Sequence, residues 1–397
     1  MRTHHMTRII AAAAAAASLT LLVAGCSASG TSGSGDSTAP IVVSSLNSLS
    51  GPVVVEDSEL AAKAYFDEYN AAGGFNGRTI DFQVVDDKTD PATASSAARD
   101  AVENQGAVAI VGGFSNVDCA VNGAYYAQSG IVNIPGAGAD EVCFTSSHIA
   151  PTNPGPFKGA RLTLDLADEL GLKSICGVLG VGGGAQAAFE KTFAQWTADT
   201  GHTFTSLDFI PYGAPDFTPY VIKAKEAGCD TFFFNGQTPL AVSIMNAAKA
   251  QNVDFTYLLF TSSYTDDFAA AAPDTGNGVY IVAEYAPYID VDGDRTAEWK
   301  RVMTTHNVPL TGFAQAGYVA AHYFTEMLKT IDGDITKESV AKAFLEQKDG
   351  IEDSMVGSPF IFGPGDAHNS NDSGWAVKLE PGSPTWTNVS EDWLHLK

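Results

Sequence analysis

The chain has 397 residues, with 22 lysines and arginines against 46 aspartates and glutamates and a formal net charge of −24. That balance excludes nucleic acid as a natural partner, because phosphate binding needs basic patches that release counterions. The length beyond the first 40 residues exceeds one typical core and suits two lobes.

The chain opens with Arg2 and Arg8, then an Ala-rich apolar stretch from Ile9 to Val23 that stops at Val23-Ala24-Gly25-Cys26. This stretch is short for a membrane span, contains Ser18 and Thr20, and ends in small residues, as a cleaved signal does. A cysteine directly after an apolar-small-small triplet is the bacterial lipobox. Residues 1–25 therefore resemble a lipoprotein signal peptide, with Cys26 as the lipidated first residue of the mature chain. Stable anchoring then takes two or more acyl chains, each buried methylene adding about 0.8 kcal/mol. Residues 26–40 are rich in Ser and Gly and read as a flexible tether. The expected location is outside the cytoplasm, moored to the outer face of the cell membrane.

Beyond the tether, short apolar strands alternate with longer helical stretches. Ile41 to Val43 predicts a strand and Glu56 to Ala72 a helix. Gly73-Gly74 stands where a left-handed C-cap is wanted, and Asn76-Gly77 turns the chain into a strand over Ile80 to Val85. Asp90-Pro91 opens a helix that covers Thr93 to Asn104, the Asp as cap and the Pro at a tolerated first position. Strands follow at Val108 to Val111 and Ile131 to Ile134. The second half repeats the pattern at Ile175 to Leu179, Phe204 to Phe209, Thr231 to Phe234, Tyr257 to Phe260 and Val279 to Val282. Ile80, Phe82 and Val84 alternate with polar residues, whereas Phe232-Phe233-Phe234 is continuous and is expected to be buried on both faces. Strands joined by helices of this length imply parallel sheets with right-handed crossovers, and two such series imply two similar α/β lobes.

Four cysteines remain after Cys26, and an even number in an exported chain suggests disulfides. Of the three pairings, Cys119–Cys143 with Cys176–Cys229 is favoured because each pair lies within one half of the chain; free buried thiols are the alternative.

These elements in this order resemble the type I periplasmic binding proteins of the Leu/Ile/Val-binding group. The resemblance is carried by Leu49-Ser50-Gly51-Pro52, by Asn70-Ala71-Ala72-Gly73-Gly74 and by Asp86-Asp87 with Asp90-Pro91. Val111-Gly112-Gly113, Ile134-Pro135-Gly136-Ala137, Ala227-Gly228-Cys229-Asp230 and Gly276 to Tyr280 continue it. It implies two doubly wound parallel-sheet lobes joined by a three-strand hinge. The N-lobe would comprise residues 41–152 and 288–350, the C-lobe residues 153–287 and 351–397. It also implies a monomeric receptor that is not an enzyme, carries no cofactor or metal, closes on a small polar solute and presents it to the permease subunits of an ABC importer. A ligand sensor or an exported enzyme on the same fold is the alternative.

Ligands of open parallel sheets sit beyond the carboxyl ends of the strands. That rule selects Ser48, Ser50, Phe114, Ser115, Asn116, Gly136, Ala137 and Gly138 on the first lobe. Facing them are Gly183, Gln237, Ser262 and Tyr264. In amino-acid-binding relatives a hydroxyl and backbone amides of the first lobe hold the ligand carboxylate; Ser115 or Asn116, with the amides of Gly136 and Gly138, match those positions. Relatives place an acid where this chain has Ser262, and cleft tyrosines where it has Gly183 and Gln237. A buried ammonium without a carboxylate is costly, so a small amide, a carboxylate or an aromatic acid fits as well as an amino acid.

Three other signals are weaker. Gly180 to Ala185 imitates a dinucleotide fingerprint with Asp208 in the ribose position, but an exported chain has no access to the cytoplasmic nicotinamide pool. Asp290, Asp292 and Asp294 look like a calcium loop, yet Gly293 is at the fourth rather than the sixth position. No G-x-S-x-G elbow anchors a hydrolase triad. Trp375, Trp386 and Trp393 are expected to pack the C-terminal tail onto the second lobe.

Overall fold

A computed structural model describes residues 39–182, 184–211, 216–274, 276–289, 294–363, 368 and 371–396, all within one compact unit, Thr38–Lys397. Cys26 and the whole signal stretch, Gly183, Asp290, Asp292 and Gly293 lie outside the described residues.

The first sheet is parallel throughout, in the order β2-β1-β3-β4. Its strands are β1 (Ile41–Asn47), β2 (Ile80–Asp86), β3 (Ala109–Val111) and β4 (Asn133–Ile134). β1 pairs Ile41 with Ile80 on one side and Val43 with Ala109 on the other. Helices α1 (Asp57–Ala71), α2 (Pro91–Glu103) and α3 (Asp118–Ser129) connect the strands, and α4 (Glu141–Thr145) follows β4. Asp90 caps α2 as expected, accepting from Thr93 N. β4 is shorter than its apolar run because Ile131 N bonds Tyr126 O at the end of α3; Ile131 closes that helix before the chain enters the sheet.

The second sheet has eight strands. Parallel β5 (Ile175–Val181), β6 (Ser206–Pro211), β7 (Thr231–Phe234), β8 (Thr256–Leu259) and β9 (Val279–Ala283) form most of it. The tail adds β10 (Ser373–Leu379), antiparallel to β9, with β11 (Trp386–Asn388) and β12 (Leu394–His395) antiparallel to β10. Its helices are α5 (Gly155–Glu169), α6 (Ala185–Thr200), α7 (Thr218–Glu226), α8 (Thr238–Ala250) and α9 (Asp266–Ala271). Phe232 and Phe234 enter one core and Phe233 another, so the Phe run is buried on both faces. β6 starts two residues later than its apolar pattern: Phe204 turns its ring into Phe193 and Phe233, and Thr205 N makes the first bond to β5. Trp386 packs on Tyr264 and Phe268, and Trp375 meets Trp393 edge-on. The tail is thereby fixed to the second sheet.

After β9 the chain returns to the first sheet through α10 (Ala297–His306), α11 (Gly312–Leu328) and α12 (Lys337–Leu345), with α11 lying along α1. A Cβ at Gly317 would stand 1.8 Å from Ser58 O, so only glycine permits this approach. Among the described residues, the chain joins the sheets at 151–154, at 284–288, and at 351–363 with 371–372, and these crossings are bonded to one another. Asn371 Nδ2 donates to Thr152 O (2.8 Å), Thr152 and Tyr285 share a hydroxyl bond (2.7 Å), and Ala286 N donates to Met355 O (2.9 Å). Disulfides Cys119–Cys143 and Cys176–Cys229 each stay within one sheet's layers.

Candidate functional site

The carboxyl ends of the two sheets carry the polar residues that the fold leaves to a crevice. On the first sheet the hub is Asp87, just after β2 and fully buried. Ser48 Oγ donates to one carboxyl oxygen (3.0 Å), as does Thr89 N (2.7 Å), and Ser115 Oγ donates to the other. Desolvation raises the Asp87 carboxyl above its ordinary range, and the bonds from Ser115, Thr89 N and Ser48 offset part of the rise. Ser115 Oγ also accepts from Asp118 N (2.9 Å) at the start of α3, and Ser50 Oγ donates to Asp86 (2.6 Å). The three serines expected to meet a ligand therefore hold loops together. What they fix is Asn116: its N–H donates to Ser48 Oγ (3.3 Å), and its Nδ2 is buried with no protein partner. Phe114 beside it lies edge-on to Phe313 of α11, with centroids 5.0 Å apart.

Gly136, Ala137 and Gly138 follow β4, as expected, but the two glycine amides have internal acceptors. Gly136 N bonds Gly113 O (2.9 Å) and Gly138 N bonds Asn153 Oδ1 (2.9 Å). A Cβ at Gly136 would reach 2.4 Å from Ser58 Oγ, so this glycine serves close packing. Neither amide is offered to a carboxylate in this conformation, a correction to the expected cradle.

On the second sheet, Asn235 exchanges two 2.8 Å bonds with the backbone of Gly180 and ties the ends of β7 and β5. Gln237 is exposed at the start of α8. Ser262 is half-buried, 3.5 Å from Gly236 O, while Ser263 donates to the same carbonyl at 3.0 Å. Tyr264 does not line the crevice: it is 1% exposed, stacked on Tyr288 at 4.5 Å and edge-on to Trp386 at 5.1 Å. Thr261 Oγ1, not selected from the sequence, is buried with no protein partner and faces Gly312 of α11, whose Cβ position is 3.4 Å away.

A second residue was missed. Glu284 follows β9 at the start of the second crossing and is partly buried. Asn153 Nδ2 donates to its Oε1 (3.2 Å), while Asn153 Oδ1 accepts from Gly138 N. Glu284 thus joins the end of β4 to the end of β9, where the crevice meets the crossings. Desolvation pushes its carboxyl up to about 7, against the lowering effect of Asn153. The signal available in the sequence was an acid in an otherwise apolar run, Val279-Tyr280-Ile281-Val282-Ala283-Glu284-Tyr285.

Other polar features lie elsewhere. A hollow of about 610 Å³ between α5 and α6 is lined by Arg161, Asp165, Asp168 and Asp199. Asp165, Asp168 and Asp199 stand toward the C-terminal ends of their helices, away from the strands' carboxyl ends, and Arg161 already bridges Asp165 and Asp199. Asp208, the imitation ribose acid, is paired with Lys223 at 2.8 Å. Among the described residues, no three His, Cys, Asp or Glu side chains are grouped to hold a metal, and no helix is long and apolar enough to cross a membrane.

Comparison with known proteins gives a consistent family. The chain is 25% identical over 271 residues to an amino acid binding protein of Pseudomonas aeruginosa, covering 65% of this chain and 68% of that one. Its fold is that of LivJ of Streptococcus pneumoniae, the substrate-binding protein of a branched-chain amino acid transporter, solved with isoleucine. The TM-score is 0.74 at 17% identity, over 88% of this chain and 99% of that one. A solute binding protein of an ABC transporter from R. palustris, solved with 4-hydroxybenzoate, has the same fold at a TM-score of 0.72 and 18% identity, over 90% and 97% of the two chains. The periplasmic binding protein family model matches residues 40–383. With a match over most of its length and the two-sheet architecture of type I members, the chain belongs to the periplasmic binding protein family.

Proposed function

We propose that this chain is an extracytoplasmic solute receptor of an ABC importer, held to the membrane by acyl chains on Cys26 and a tether over residues 26–40. It captures a small polar solute between an N-lobe of residues 41–152 and 288–350 and a C-lobe of residues 153–287 and 351–397. Closure around the solute presents a distinct surface to the permease, and the solute leaves chemically unchanged. Amino acids, amides and small carboxylates are the candidate cargo, in keeping with the isoleucine and 4-hydroxybenzoate held by proteins of the same fold.

The observation that carries this reading is a pair of buried polar atoms at strand ends of opposite sheets. Asn116 Nδ2 and Thr261 Oγ1 have no protein partner. Such groups are costly unless something bonds them, and a solute held between the sheets would. The bonded crossings supply the hinge that a closing receptor needs. Titration of the purified chain with amino acids, amides, urea-like solutes and aromatic acids tests it, read as a rise in melting temperature. One chemical class should stabilise the protein saturably with no product formed. A product accumulating from a bound compound, or no stabilisation by any class, would overturn the reading.

A further inference from the structure

We propose that the Cys119–Cys143 disulfide is a positioning element of the solute site: it fixes the Asn116 loop to the first crossing, so that capture depends on this bond and not on Cys176–Cys229. The inference rests on the receptor reading above and adds to it two residues that act without touching the solute. The two disulfides lie at opposite ends of their strands. Cys176 is the second residue of β5 and Cys229 precedes β7, so their bond staples the amino ends of the second sheet, away from the crevice. Cys119 stands in the first turn of α3, after β3, and Cys143 in α4, after β4. Their bond joins two segments at the carboxyl ends of the first sheet.

Each half of that bond leads to a working part. On one side, Asn116 is three residues before Cys119, and its neighbour Ser115 accepts through Oγ from Val117 N (3.1 Å) and Asp118 N (2.9 Å). The loop and the first turn of α3 are therefore one unit, and moving Cys119 moves Asn116 Nδ2. On the other side, a Cβ at Gly138 would lie 2.8 Å from both Cys143 Cβ and Pro151 Cγ, and the Phe144 ring comes within 2.2 Å of a Cβ at Gly155. Helix α4 is thus wedged against the first crossing. Cys119 is 3% exposed and Cys143 1%, so close packing passes a displacement at one end of the bond to the other. α3 keeps a second tie, from Asn133 Nδ2 to Asp118 at 2.9 Å. Losing the disulfide would loosen the loop without releasing the helix. Stability alone predicts the reverse ranking of the two bonds. Cys176–Cys229 spans 53 residues of chain and Cys119–Cys143 only 24, and the longer cross-link restricts the unfolded chain more.

The test compares Cys119→Ala/Cys143→Ala with Cys176→Ala/Cys229→Ala in the full chain. Amide exchange over residues 115–119 is read without ligand. Calorimetric Kd is read with L-isoleucine and 4-hydroxybenzoate, the solutes held by proteins of the same fold. The first pair of changes should speed exchange over 115–119 about tenfold and weaken the Kd of a probe that wild type binds about tenfold, because the loop is no longer preorganised. The second pair should lower the melting temperature at least as much and leave both other readings at their wild-type values. Equal effects of the two pairs, or wild-type exchange in Cys119→Ala/Cys143→Ala, would overturn the assignment and leave the receptor reading standing. Neither probe binding wild type would count against the receptor reading alone, and exchange would then decide the positioning. If Cys119→Ala/Cys143→Ala does not fold, the Cys176→Ala/Cys229→Ala chain keeps only the bond in question and supplies the test. Dithiothreitol opens that bond, its two thiols becoming a cyclic disulfide as Cys119 and Cys143 become thiols, and oxidised glutathione recloses it. Exchange that quickens on opening and returns on reclosure supports the assignment; exchange unmoved by opening overturns it.

Discussion

Asp87 shows how a carboxylate can serve a binding site without touching the ligand. Ser48, Ser115 and Thr89 N all point at it, so its two oxygens hold the ends of β1, β2 and β3 in one arrangement. Asn116 rides on that arrangement and keeps its own amide nitrogen unsatisfied. Asn116→Ala should therefore leave the ligand-free protein as stable as wild type, or slightly more so, because it deletes an unpaired buried donor. The same change should weaken the ligand identified by screening by about 1–2 kcal/mol, roughly five- to thirty-fold in Kd. Calorimetry on the variant checks both halves, and an unchanged Kd would remove Asn116 from the site. At this scale the sequence was a partial guide. Topology alone directs attention to the strand ends, so Ser48, Ser115 and Asn116 were selected together. Which of them faces inward depends on Asp87, and a row of letters does not show that two serines share one carboxylate. Thr261 and Glu284 adjoin the apolar runs of β8 and β9, and only tertiary contacts with Gly312 and Asn153 set them apart from core positions.

At the scale of elements, the seating of α1 and α11 on the first sheet depends on missing side chains. Gly317 on α11 faces Ser58 O, and Gly136 after β4 faces Ser58 Oγ, both closer than any Cβ allows. Ser58 itself donates to Gly112 O at 2.9 Å, which registers α1 against the end of β3. Gly317→Ala would force backbone against backbone and push α11 away from the sheet end. The expected cost is about 1–3 kcal/mol, read as a lower denaturant midpoint, with weaker ligand binding because Phe313 and Gly312 would move with the helix. A fully stable variant would show that the helix pair slides freely. The strands up to β9 and helices α1 and α2 were readable because apolar runs, Asp90-Pro91 and the Gly73-Gly74 stop act locally. The tail was not: β10 to β12 are antiparallel additions whose pairing partners are far away in sequence, and only the tryptophans hinted at them.

For the molecule as a whole, acid content and burial act together on pH stability. Besides Glu284 near 7, desolvation pushes Asp118 up to about 6 within its cage of Tyr126, Asn122 and Asn133, and Glu59 up to about 6. A carboxyl raised in the folded state keeps its proton where the unfolded chain has already lost it. The folded protein then binds more protons, and stability falls as pH rises from the unfolded values of these groups, near 4 to 4.5, through about 6 to 7. The surplus of negative charge, −24 overall, adds self-repulsion of the same sign over that interval. Opposing groups act at lower pH. The bond from Thr93 N lowers Asp90, and the bond from Arg301 lowers Glu68, so their contributions vanish as the medium falls below the ordinary carboxylate range. The ligand-free protein should accordingly melt highest in mildly acidic buffer and lose melting temperature steadily toward neutrality. Glu284→Gln should flatten that decline by removing the group that titrates last. A melting temperature that is level or climbs between about pH 5 and pH 7 would mean that water reaches these carboxyls and that burial does not hold their protons.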